Sequence, residues 1–151
     1  MRTPPRTALA VVLTALLMTL LPASTAQAQA RVEYKQQARA MTNNARDNHD
    51  LRDLQKHRCV QKFARRQAVK MANQEKLFHQ DLGAILNRCN LSRVGENVAY
   101  GYPTGRAAVK AWLKSPGHRA NLLEPRYRLL GLAVRHSNNG TPYAVQVFGR
   151  R

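Results

Sequence analysis

Residues 102–123 read YPTGRAAVKAWLKSPGHRANLL, and two local signals inside this stretch frame the rest of the chain. Thr104, after Tyr102-Pro103, is the residue type that accepts a hydrogen bond from the free N–H groups at a helix start. From there Ala108, Val109, Trp112 and Leu113 recur at helical spacing and form one apolar face, which predicts a helix with Trp112 in the core. The helix ends before Pro116, which cannot donate to the ladder and restrains Ser115 ahead of it. Its other side is a basic row of Arg106, Lys110 and Lys114.

Downstream of this helix the period changes. Leu129 to Val134 is an apolar run, Asn139-Gly140 is a hairpin-type turn signal, and Tyr143 to Phe148 is rich in β-formers. They read as two adjacent antiparallel strands, and Val98 to Gly101, after Glu96-Asn97, as a third. Upstream, Val60, Phe63, Ala64, Ala68, Met71 and Ala72 fall on one side of a helix over Arg58 to Glu75, with Arg58, Lys62, Arg66 and Lys70 opposite. A further helix is expected from about Met41 to Leu54, with Asn43 and Arg46 stabilising the fold. Helices first, then strands with another helix between, make an α+β fold in which helices cover a small sheet.

The N-terminus has a different organisation. Arg2 and Arg6 precede an apolar run from Ala8 to Leu21, and a small-residue segment ends at Ala28-Gln29-Ala30. That order is a secretory signal peptide over residues 1–30, with a cut after Ala30 or Ala28. The run is short for a bilayer span and no later stretch is both long and uncharged, so no transmembrane anchor is expected in the mature form. Residues 31–40 are polar without a clear period and read as a leader ahead of one domain over 41–149.

The 151 residues carry 25 Lys and Arg against 8 Asp and Glu, a net charge of +17, and 44% are hydrophobic. That is apolar enough for a core and argues against a disordered chain. Removing residues 1–30 takes away two arginines and no acid, which leaves +15 on 121 residues. Such a surface favours acidic partners. Cys59 and Cys89 both lie in the exported part, where a pair is more often a structural disulfide than a nucleophile and a spare; two reduced buried thiols are the rival.

Among polar residues, His79, Glu96 and His118 each stand at the edge of an expected element, where flanking structure holds functional groups rigidly. Taken singly, each has an ordinary structural role as helix end, cap or first helical residue. The strings around them change the reading. Asn43-Asn44-Ala45-Arg46, Phe78-His79, Gly95-Glu96-Asn97-Val98-Ala99-Tyr100-Gly101, Trp112 through Leu123, Leu130-Gly131-Leu132-Ala133 and Val145 through Gly149 follow in order. In order and spacing the chain resembles the CAP superfamily (cysteine-rich secretory, antigen 5 and pathogenesis-related proteins) in its bacterial SCP-like form.

The resemblance implies an α-β-α sandwich, a small antiparallel sheet between helices, with a cleft where His79, Glu96 and His118 converge beside Asn97 and Ser115. Eukaryotic members carry a second acid three residues after the tryptophan; here that position is Ser115. Two imidazoles and one carboxylate remain, a set suited to zinc or another divalent cation held weakly, with water completing the shell. A direct Glu96 bridge between the histidines, with no ligand, is the structural alternative.

The expected function is a secreted binding module at the cell surface or envelope, with no required cofactor. Acidic cell-envelope polymers, lipids or proteins are the partner classes, and nucleic acid is not expected because no aromatics interleave the basic rows. The alternatives are a metal-dependent hydrolase with Glu96 as base and a non-specific polyanion binder. Neither HExxH nor GxSxG occurs, so catalysis is not the leading expectation.

Overall fold

The computed structural model describes residues 23–151; the expected signal peptide up to residue 22 lies outside them. The elements in order are α1 (Ala23–Asp47), β1 (Gln55–Lys56), α2 (Arg58–Gln74), α3 (Leu82–Arg88), β2 (Arg93–Tyr100), α4 (Gly105–Lys114), α5 (Pro116–Leu122), β3 (Leu129–His136) and β4 (Pro142–Arg150). The strands form one sheet in the order β1-β3-β4-β2. β4 is antiparallel to both neighbours, with Val145 opposite Ala133 on one side and Val98 on the other. The two-residue β1 runs parallel to β3.

Side chains alternate across the sheet with the two-residue period of a pleated strand. On one face Ala144 and Phe148 of β4 join Leu130, Leu132 and Val134 under α1, α4 and α5, where Val109, Trp112 and Leu122 fill the layer. On the other, Val145 and Val147 meet Val60, Ala64, Ala68, Met71 and Ile85 of α2 and α3. This is the α-β-α sandwich expected of an α+β chain with the CAP resemblance.

Local chemistry explains several boundaries. Thr104 accepts from the Ala107 N–H at 3.1 Å and starts α4, and Trp112 donates its indole N–H to the Val98 carbonyl at 3.1 Å, fixing α4 on β2. Asp81 caps α3 in the same way, through the Ala84 N–H. Cys59 and Cys89 form a disulfide, Cα to Cα 5.7 Å, that ties the start of α2 to the end of α3. Gly131 allows α2 to lie directly on β3, since a Cβ there would overlap the Val60 carbonyl and the Gln61 amide.

Two expectations at the N-terminal end need correction. Residues 31–40 are not a leader: they belong to α1, with Tyr34 and Ala38 buried in the core. The buried face continues through Thr42, Ala45 and Arg46, so its stripe is built from small and polar residues that hydropathy under-weights. The helix over 41–54 stops at Asp47, and the chain turns back through Asp50 at φ 56°. Leu54 reaches the core from the following loop, held by its N–H on the Asn43 side-chain oxygen at 3.1 Å. Buried Arg46 donates to the carbonyls of Arg52, Leu122, Glu124 and Tyr127, closing the loop over α5.

Candidate functional site

The site lies at the outer edge of β2, where Gly95, Glu96 and Asn97 act as a unit. Neighbouring residues of a strand point to opposite faces. Glu96 turns toward the segment between α2 and α3, and Asn97 toward α5. No side chain fits at Gly95, because the Tyr127 hydroxyl and the Asn121 side-chain oxygen occupy the place of its Cβ.

The Glu96 side chain is only 1% exposed and its oxygens are occupied. Oε1 accepts from His79 Nδ1 at 2.8 Å and from the Gln80 N–H at 3.3 Å, and Oε2 accepts from the Gln80 side-chain amide. Glu96 therefore fixes the loop that carries His79, whose own side chain stays 57% exposed. Asn97 is fully buried and works behind the surface. Its amide donates to the His118 carbonyl at 3.1 Å and toward Gln146 at 3.5 Å, and its oxygen accepts from Asn121 at 3.0 Å. Asn121 also reaches the Glu96 carbonyl, so α5 is tied to the strand at two consecutive residues.

His118, in the first turn of α5, is paired through Nδ1 with the Ser115 hydroxyl at 2.9 Å. Partial burial, and then the nearby charge of His79, push its pKa below the usual histidine value. The two imidazoles are thus anchored from opposite sides of the β2 edge, His79 through Glu96 and the helix of His118 through Asn97. The direct Glu96 bridge to both histidines is not formed: Glu96 holds His79 and Gln80, while His118 is held by Ser115.

Among the described residues no three His, Cys, Asp or Glu side chains are grouped to hold a metal ion. Glu96 faces inward with its oxygens engaged, which makes it a group that orients His79. Gln80 and Asn121, which sequence reasoning did not single out, complete the arrangement; adjacency to His79 and membership in the string after His118 were their signals.

An α-β-α sandwich with a histidine and carboxylate edge of this kind defines a recognisable class of domain. The family model described as the cysteine-rich secretory protein family, CAP, matches residues 39–148, and the chain belongs to that family. It is 29% identical over 124 residues to the uncharacterized protein YkwD of Bacillus subtilis (strain 168), covering 78% of this chain and 48% of that protein. The crystal structure of an extracellular SCP-domain protein from Bacillus anthracis str. Ames is similar at a TM-score of 0.75 and 28% identity, covering 87% of this chain and 45% of that one. An outer surface protein from Borrelia burgdorferi shares the fold at a TM-score of 0.70 and 20% identity, over 80% of this chain and 97% of its own. The chain thus spans about half the length of the first two relatives. Among the described residues no helix is long and apolar enough to cross a membrane.

Proposed function

We propose that this protein is a secreted CAP-domain binding module of the cell surface or envelope. Its recognition site is the β2-edge cleft, whose two imidazoles seat a weakly held divalent cation such as zinc. The observation that carries the reading is how the rings are oriented. Nδ1 of His79 is engaged by Glu96 and Nδ1 of His118 by Ser115, which leaves Nε2 of each ring to a ligand. Fixing one imidazole nitrogen to present the other is the usual arrangement around metal-ligating histidines. With two protein ligands and water completing the shell, affinity is modest.

Recognition fits these groups better than catalysis. A general base needs a lone pair that substrate can reach, and the Glu96 side chain is 1% exposed with both oxygens bonded to His79 or Gln80. Secretion is supported by the basic, apolar and small-residue order of the first thirty residues and by likeness to the Bacillus anthracis extracellular protein. A cut after Ala30 keeps Tyr34 and the buried face of α1 in the mature chain.

Calorimetry with zinc at neutral pH tests the site. The wild type should give a binding heat that disappears in His79→Ala/His118→Ala, and Glu96→Gln should weaken binding roughly 10- to 100-fold as an orienting partner is lost. Equal heats for wild type and the double variant would overturn the assignment.

A further inference from the structure

A second feature occupies the opposite edge of the sheet. A groove of about 610 Å³ runs along the outer side of β3, walled by α1 on one face and α2 on the other. Six cations line it: Arg31, Lys35 and Arg39 on α1, Arg65 on α2, Lys56 in β1 and Arg135 in β3. No acidic residue lines it, and the side-chain ion pairs among the described residues lie elsewhere, at Glu96 and Glu124. The α1 cations recur every four residues, so successive charges stand roughly 6 Å apart along one helix face. Arg31 and Arg135 are close enough that, after burial itself, their charges lower the pKa of His136.

We propose that this groove binds a linear phosphodiester polymer without bases, of the poly(glycerol phosphate) type. A row of cations at one-turn spacing matches an anion repeated along a flexible backbone, and the absence of carboxylates leaves the attraction unopposed. The other occupants fit less well. Single-stranded nucleic acid gains much of its affinity from aromatic faces on which bases stack, and no aromatic side chain lines the groove. An acyl chain would need a continuous apolar slot, but Leu132, Ala133 and Val134 in the floor are each at most 7% exposed, and exposed Val32 stands among Arg31, Lys35 and Gln36. An added peptide strand would need a free edge, and this one is largely taken. The His57 N–H donates to the Leu130 carbonyl at 3.3 Å, and the Gln61 side-chain amide pairs with both the carbonyl and the N–H of Leu132, at 2.9 and 3.1 Å. The inference is independent of the cleft, and loss of zinc binding leaves it standing.

The test is the salt dependence of binding between the purified protein and fluorescent poly(glycerol phosphate). Removing three groove cations in Lys35→Gln/Arg65→Gln/Arg135→Gln should lower the slope of log affinity against log salt by up to about 2, roughly 0.7 for each lost phosphate contact on a single-chain polyanion. Arg106→Gln/Lys110→Gln/Lys114→Gln on the exposed face of α4 removes the same charge elsewhere and should leave the slope near the wild-type value. Thermal melts of both variants establish that they are folded. Three results would overturn the proposal: no binding by the wild type, equal losses in the two triple variants, or tighter binding of single-stranded DNA or phosphatidylglycerol vesicles than of the polymer.

Discussion

Replacing the disulfide by Cys59→Ala/Cys89→Ala tests how this small domain holds its α2–α3 layer. The two cysteines are 30 residues apart, and the chain-entropy relation for a closed loop of that length gives about 3.5 kcal/mol at 25 °C. Packing adds little to this figure, because Cys89 is buried but small and Cys59 is only half-buried. Against the 5–15 kcal/mol typical of a domain, about 3.5 kcal/mol is a large fraction, and it corresponds to a fall of roughly 10–15 °C in Tm for a chain of this size. Urea titrations of the oxidised wild type and the double variant measure both stability and its dependence on denaturant. The variant should also show a larger m-value, because its unfolded chain is free to expand. A loss below about 1 kcal/mol with an unchanged m-value would refute the argument that the bond acts on the unfolded chain.

Other outcomes follow from the buried polar groups. Arg46→Met removes the donors to four carbonyls at once, and it should cost about 3 kcal/mol by urea unfolding, since Leu122 and Tyr127 are buried and their carbonyls lose the guanidinium. His57, His118 and His136 are all held below the usual histidine pKa, in each case chiefly by burial. The unfolded chain therefore binds protons more readily than the native one on the acid side of pH 6.5, and stability present above that pH is lost as pH falls through the folded values. Urea midpoints should be higher at pH 7.5 than at pH 5.5; equal midpoints would contradict this. A separate acid step is expected below pH 4.5, because hydrogen bonds from Arg126 hold the Glu124 carboxyl at about 2.

What the sequence displayed depended on whether a local signal marked the element. α4 was readable at both ends because Thr104 and Pro116 act on their own backbone, and α2 because large and small apolar residues fall on one face of it. β2 was expected only from Val98, yet it begins at Arg93. The part before Val98 buries Glu96 and Asn97, and hydropathy cannot tell a buried, hydrogen-bonded carboxylate from an exposed one. α1 was missed upstream of Met41 for a related reason, since alanine, threonine and arginine make much of its buried face. β1 has two residues and exists only because β3 lies beside it. In the cleft, the strings identified His79, Glu96 and His118, but the strand's alternation decides their roles. Glu96 and Asn97 work on opposite faces, so the carboxylate holds one histidine loop while the amide holds the helix carrying the other.

The strand order carries a consequence for how the molecule assembles. β4 follows both β2 and β3 in the chain and lies between them, so the two cannot be joined in one sheet until residues 142–150 are available. α1 is tied to it as well, because the buried Thr42 hydroxyl accepts from the Gln146 side-chain amide at 2.7 Å, 104 residues away. Contacts of such separation form late and slowly. Until residues 142–150 have been synthesised, β2 and β3 have no strand between them and the sheet stays open.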